Sequence, residues 1–246
     1  MADRIQKVLA NAGLASRREV ERWIKQGRIV VDGRPAKLGD QLSGSEKVLL
    51  DGKPVRTPSG SRDRNYHRIY YKPVGQITSR RDPEGRPTVF SSLKPPRHGR
   101  WVSVGRLDIN TSGLLLLTSD GELAHRLMHP SFEIERDYAV RLLGELSPTQ
   151  LRQLKDGVEL DDGVAKFDRV RRDGGAGSNI WYRITLHEGR NREIRRVFES
   201  LGLAVSRLIR VRYGPIELGE LRRGESRPLT TDETAALYRA VDLPPP

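Results

Sequence analysis

Apolar positions change their period several times along the chain, and each change marks an element. Ile5, Val8, Leu9 and Ala12 recur at i, i+3, i+4 and i+7, the spacing of one buried helix face, and Gly13 stands where that helix would end. Ser16 and Glu19 form an S-x-x-E capping box for a second helix with the stripe Val20, Trp23 and Ile24, closed by Gly27. Short strands follow at 28–31, before Asp32-Gly33, and at 47–50, before Asp51-Gly52; both dipeptides are hairpin turn signals. The stretch from Pro54 to Asn65, PVRTPSGSRDRN, has no periodicity and reads as a linker.

Beyond Tyr66 the pattern predicts strands at 67–72, 102–107, 114–118, 136–143, 180–186 and 208–213. Helices are predicted at 122–128, 149–155, 192–200 and 232–241. Ser147 with Pro148, and Thr230 with Glu233, supply helix starts. The run Leu114–Leu117 reads as a strand buried on both faces, 172–179 as a flexible loop, and 243–246 as a frayed tail. Strand-rich order with few βα alternations gives an α+β fold: a mixed, largely antiparallel sheet with packed helices, behind a small N-terminal helical module. The expected domains are 1–60, including the start of the linker, and 61–246.

Composition narrows the function. The 246 residues include 36% hydrophobic ones, enough to bury the core of a medium domain and a small appendage. Lys and Arg number 44 against 32 Asp and Glu, a net charge of +12, which points to a polyanionic partner, with nucleic acid first. The absence of cysteine excludes disulfides, thiolate metal ligands and a thiol nucleophile. No apolar run is long enough for a bilayer and MADRIQKV has no signal-peptide core, so a soluble cytoplasmic protein is expected, with no membrane partner. Basic residues cluster around the second helix, with Arg17 and Arg18 at its start and Arg22, Lys25 and Arg28 beyond. Such a face can contact phosphates without reading sequence, or simply be solvated. His125 and His129 share a helix face, but there is no H-E-x-x-H arrangement and no third ligand, so no metal is expected.

The segment VGRLDINTSGLLLLTSDGEL, from Val104 to Leu123, puts Asp108 between a strand and a turn, at the rim of an apolar core. A carboxylate there needs a cationic partner or takes up a proton; on spacing alone, a turn-forming Asp is the commoner case. The stretch RIQKVLANAGLASRREVERWIKQGRIVVDGRPA, from Arg4 to Ala36, resembles the alpha-L RNA-binding domain, ribosomal-protein-S-four-like, found in a small-subunit ribosomal protein, some tRNA synthetases and several RNA-modifying enzymes. The GRLD block with its leucine strand resembles the catalytic motif of the pseudouridine synthases that modify ribosomal RNA through such an appended domain. Three more blocks agree in order: Tyr71–Gly75 (YKPVG), Glu135–Val140 (ERDYAV) and Glu188–Arg196 (EGRNREIRR). The stretch LMHPSFEIERDYAV is most similar to the branch acting on the large subunit, the B type.

The resemblance implies a pseudouridine-synthase catalytic sheet and isomerisation of a uridine to pseudouridine in ribosomal RNA, without a cofactor. The partner would be ribosomal RNA or a pre-ribosomal particle, met by a monomeric enzyme. It makes Asp108 the essential carboxylate, which could attack uracil C6, bond to C1′ or remove the C2′ proton; these routes stay open. It pairs Asp108 with Arg195, with Arg196 as the rival, and sets Tyr138 against the uracil ring. Arg106, Lys72, Arg190 and Arg192, with Arg17, Arg18 and Lys25, are the expected RNA-binding residues, although Lys72 with Pro73 could instead shape the pocket. The competing functions are a small-subunit synthase, an RNA-binding assembly protein without chemistry, and a glycoside hydrolase. The last usually needs two carboxylates acting together, and Asp120 and Glu122 are explained by a helix start.

Overall fold

The computed structural model describes residues 2–55 and 65–246. The first unit contains β1 (Asp3–Arg4), α1 (Ile5–Asn11), α2 (Arg17–Lys25), β2 (Ile29–Val31), β3 (Arg34–Pro35), β4 (Gln41–Leu42), β5 (Val48–Leu50) and β6 (Lys53–Val55). Strand β1 pairs with β4, and β3-β2-β5-β6 form an antiparallel sheet. The predicted helix stripes meet as a core of Ile5, Leu9, Val20 and Ile24, closed by Ile29, Leu42 and Val48 from the strands. Ser16 accepts a bond from the Glu19 amide at 3.1 Å. The other half of the expected capping box does not form, because the Glu19 carboxylate turns to Arg22, one turn on. Asp32-Gly33 and Asp51-Gly52 both take positive φ at each residue, as a two-residue hairpin turn of this hand requires.

The linker expected from Pro54 starts too early: Pro54 and Val55 lie in β6, where edge pairing with β5 leaves room for a proline. The rest of that segment, 56–64, and the domain boundary at 60/61 lie outside the described residues.

The second unit contains β7 (His67–Lys72), β8 (Val102–Val104), β9 (Ser112–Thr118), α3 (Gly121–Met128), β10 (Arg136–Leu143), α4 (Pro148–Asp156), β11 (Val158–Leu160), β12 (Gly163–Ala165), β13 (Arg169–Ala176), β14 (Asn179–Leu186), α5 (Glu193–Ser200), β15 (Ala204–Tyr213), β16 (Ile216–Glu217), β17 (Ser226–Pro228) and α6 (Thr231–Arg239). Its main sheet runs β13-β14-β10-β15-β9-β7-β17, with β16 on β15 and β8 on β9. Every pairing in it is antiparallel except β15 with β9. Strand β9 is buried along its whole length. Leu114 and Leu116 pack with Leu123 and Leu127 of α3 and Leu237 of α6. Leu115 and Leu117 face the other way, onto Tyr70, Trp101 and Leu107. Burial of each of these leucines contributes about 2 kcal/mol, so β9 is a rigid support for the turn that precedes it.

Three other expectations differ from the structure. The strand predicted for 102–107 stops at Val104, and the chain leaves the sheet at Gly105. The stretch 172–179 is not a free loop. It forms the end of β13 and a tight return into β14, whose hydrogen bonds override the low strand propensity of Gly174 and Gly175. The tail is tied down at Leu243, whose amide donates to the Tyr238 carbonyl at 3.0 Å and whose side chain packs on the α3–α6 core. The caps at Ser147 and Thr230 form as complete capping boxes.

Candidate active site

Asp108 is half-buried on the loop between β8 and β9, in a cleft of about 380 Å³ walled by Thr78, Arg81, Asp82, Arg86, Arg106, Leu107 and Asn191, among others. Its backbone is held from three sides. Thr78 Oγ1 donates to the Leu107 carbonyl at 3.0 Å and accepts from the Leu107 amide at 3.2 Å. The Thr111 amide closes the turn onto the Asp108 carbonyl at 3.0 Å. Gly113 lets β9 approach β15, since a Cβ there would lie 2.2 Å from the Arg210 carbonyl oxygen. The Asp108 carboxylate itself has no hydrogen bond or ion pair among the described residues, and is left facing the cleft.

Lys72 supplies the third support and departs from its expected role. It is fully buried, so it is not at the surface to meet RNA. Its Nζ donates to the carbonyls of Pro73 (3.0 Å), Asp108 (3.0 Å) and Thr111 (2.8 Å). An ammonium has three protons, and each finds a backbone oxygen, two of them in the turn. The final residue of β7 thus ties the KPVG segment to the GRLD turn. Burial pushes the Lys72 pKa down to about 8, and the Asp108 charge opposes that shift. Lys72 is therefore charged at neutral pH and loses its proton, and one of its three donors, as pH rises through about 8. Single-turnover rates of base isomerisation are expected to fall across that range, and Lys72→Met is expected to lower the plateau and flatten the alkaline limb. An unchanged limb in the variant would assign it to another group.

Arg195, at the third position of α5, donates from Nη2 to the Asn110 carbonyl and from Nη1 to the Val205 carbonyl, both at 2.9 Å. The direct ion pair with Asp108 does not form: the guanidinium meets the backbone of the turn two residues past the carboxylate. Its pKa is lowered by burial first and by Arg192 second, while the Asp108 charge raises it. The Asp108 and Arg195 charges thus feel each other across the turn. The rival, Arg196, makes a bidentate pair with Asp162, at 2.9 and 2.8 Å, and holds the β11–β12 hairpin.

Tyr138 stands on β10 opposite Ile184 and Arg210 and packs against the cluster of Leu107, Tyr70 and Leu115. It is not among the residues that wall the cleft, and β15 lies between its strand and β9. Of the expected RNA-binding arginines, Arg106 is exposed on the cleft wall. Arg190 turns inward, onto Glu188 (2.8 Å) and the carbonyls of Gly163 (3.0 Å) and Val164 (2.5 Å), so its donors are spent within the protein. Arg192 is exposed at the start of α5, and Arg17, Arg18 and Lys25 are exposed on α2.

Sequence reasoning missed Thr78, Arg81, Asp82, Arg86 and Asn191 as walls of the cleft. Asn191 sits inside a quoted motif and was within reach. The others come from the segment after Gly75, which carries no period and meets Asp108 only in three dimensions. Asp82 takes Arg86 at 2.9 and 2.7 Å and neutralises it, whereas Arg81 and Arg106 have no acidic partner among the described residues. The cleft therefore combines a held, unpartnered carboxylate with free guanidinium groups at its mouth, which suits chemistry on a polyanion. His129 spends its ring on the Ser131 hydroxyl (2.7 Å), and no cluster of metal-ligating side chains exists among the described residues. No helix there is long and apolar enough to cross a membrane.

Comparison with known proteins bears on the family. The family model for RNA pseudouridylate synthase matches residues 66–200, and that for the S4 domain matches residues 3–48. The chain is 51% identical over 248 residues to ribosomal large subunit pseudouridine synthase B of Escherichia coli (strain K12), covering 100% of this chain and 85% of that one. Against the protein of the same name in Pseudomonas aeruginosa it is 49% identical over 247 residues, covering 100% of this chain and 64% of the relative. A solved structure described as a pseudouridylate synthase superposes with a TM-score of 0.66 at 27% identity, covering 95% of this chain and 99% of that one. The family model over more than half of the chain and the full-length relatives agree, and this chain belongs to the RNA pseudouridylate synthase family.

Proposed function

We propose that the protein isomerises a uridine of large-subunit ribosomal RNA to pseudouridine, with Asp108 as the catalytic carboxylate. The observation that carries this reading is the unpartnered Asp108 side chain in the cleft, on a turn whose carbonyls are gripped by Lys72 and Arg195. The bond from C1′ to N1 breaks, the uracil turns, and a bond from C1′ to C5 forms; the C5 proton leaves and N1 gains one. Atoms and electrons balance within the nucleotide. Asp108 acts on the sugar or the base through one of the three open routes. Tyr138 supports the ring from the Leu107 side, once substrate has entered, and Arg106 holds the backbone of the extruded nucleotide, because a paired uridine cannot reach a carboxylate inside a cleft.

The S4 unit, taken as residues 1–60, docks on structured RNA through Arg17, Arg18 and Lys25, and residues 61–246 form the catalytic unit. The enzyme acts as a monomer in the cytoplasm, on ribosomal RNA or a pre-ribosomal particle. The names of the B-type relatives favour the large subunit over the small one. Pseudouridine mapping of ribosomal RNA from cells with and without the protein tests the reading. One large-subunit uridine is expected to remain unmodified in its absence. An unchanged map, with purified protein also inert on a large-subunit transcript, would leave only an RNA-binding role.

A further inference from the structure

The two units touch where α1 ends. A Cβ at Gly13 would lie 2.6 Å from the Gly99 carbonyl oxygen, and one at Gly99 would lie 3.1 Å from that of Asn11. Both glycines take left-handed φ, +87° and +73°, so neither position accepts a side chain easily. This contact carries Arg17, the first residue of α2, onto the catalytic unit, with its Nη2 3.9 Å from where a Cβ of Gly121 would stand. Arg80 and Arg100 lie on the catalytic side of the seam and line a cavity of about 210 Å³ with Thr78, Ser79, Trp101 and Ser103. Arg80 is fixed over the Phe90 ring, 4.5 Å from its centroid, and donates to the Trp101 carbonyl. Arg100 Nε is buried and has no hydrogen-bond partner.

No acidic side chain pairs with Arg17, Arg80 or Arg100 among the described residues. Several other arginines of this chain do have counter-charges: Arg196 with Asp162, Arg212 with Asp137, Arg227 with Glu233. Burial, then the charges of Arg80 and Arg17, lower the Arg100 pKa. Like charges gathered at one seam repel unless an anion comes between them.

We propose that Arg17, Arg80 and Arg100 form a cradle for one or two backbone phosphates of the RNA, so that a single strand bridges the S4 unit and the catalytic unit. The inference rests on RNA being the substrate. Guanidinium forks suit phosphate oxygens, and the Ser103 hydroxyl is a further donor. Thr78 and Ser79 line both this cavity and the Asp108 cleft, so the cradle is next to the site of chemistry and continuous with it. A strand held here orients the S4 unit and the reacting nucleotide together.

The test uses the full chain and a transcript of large-subunit ribosomal RNA, with affinity measured against salt concentration. The double variant Arg17→Gln, Arg100→Gln is expected to lower the slope of log K on log salt by about two units and to weaken binding roughly tenfold or more near physiological salt. Arg152→Gln, an exposed change on α4, which packs against the far edge strand β13, is the control for lost charge alone. A double variant no different from the control would overturn the cradle. Because the chain has no cysteine, Ser103→Cys gives a unique attachment point for a photo-crosslinker in an otherwise intact site. An RNA adduct that unlabelled transcript competes away is expected, and its absence counts against the cradle. Wild-type protein that isomerises the transcript while these results fail would sink the cradle alone. Protein that shows them but isomerises nothing would sink the proposed activity instead.

Discussion

Asp108→Asn is expected to abolish pseudouridine formation, with the single-turnover rate falling by about 10⁴-fold or more, equivalent to about 5.5 kcal/mol of transition-state stabilisation. The substitution keeps the shape of the side chain and removes its charge. No hydrogen bond of the supporting structure uses the carboxylate, since Lys72 and Thr111 bind the Asp108 carbonyl; its charge acts on Lys72 and Arg195 only through space. The turn, the cleft and the free arginines at its mouth therefore remain, and RNA affinity is expected to stay within about threefold of wild type, as phosphate contacts dominate it. Rate measured by release of the C5 proton, alongside affinity on the same transcript, checks both halves. A variant that retained a tenth of the rate would remove Asp108 from the chemistry.

Arg195→Met comes second, with an expected loss of about 10²-fold to 10³-fold in kcat and little change in KM. The methionine fills much of the same volume. It takes the guanidinium donors from the carbonyls of Asn110 and Val205, at a cost of about 1–3 kcal/mol each where they stay dry, and removes a positive charge that acts on Asp108. Arg195 acts through the turn, so it is a positioning residue, and Arg195→Lys is expected to recover part of kcat by restoring charge without both hydrogen bonds. Arg196→Met serves as the neighbour comparison. It breaks a pair to Asp162 on the β11–β12 hairpin and is expected to leave kcat within severalfold of wild type. Equal losses in the two variants would mean that α5 matters only as a packed helix.

Much of the fold is legible in the sequence because local signals and tertiary packing agree there. Helix stripes at Ile5 and Leu9, and at Val20 and Ile24, both end in the same small core. The four leucines of β9 have no polar alternation because helices cover one face and the Tyr70–Trp101 cluster covers the other. Turn chemistry at Asp32-Gly33 and Asp51-Gly52 needs only the residues themselves. Where the reading missed, the deciding contacts were distant. Gly174 and Gly175 are an exception: they are in a strand because the neighbouring β14 folds back on them, a local pairing that their low strand propensity hid. Tyr138 is not among the walls of the cleft, and its strand is separated from β9 by β15.

The arginines show the division most clearly. Arg190, Arg192, Arg195 and Arg196 are four cations within seven positions, and no local rule separates them. The structure gives one to the β12 carbonyls, leaves one exposed, turns one to the Asp108 loop and pairs one with Asp162. Sequence by itself determined the two-helix stripes of the first unit, the buried leucine strand, the main helices of the second unit and the basic balance, because these follow from periodicity and charge. Only the tertiary structure decided that Lys72 is a buried clamp, which guanidinium grips the turn beyond Asp108 and that arginines of two units lie at one seam. Those outcomes depend on which distant oxygens surround each cation, and a long flexible side chain takes its role from whatever the fold packs around its head group.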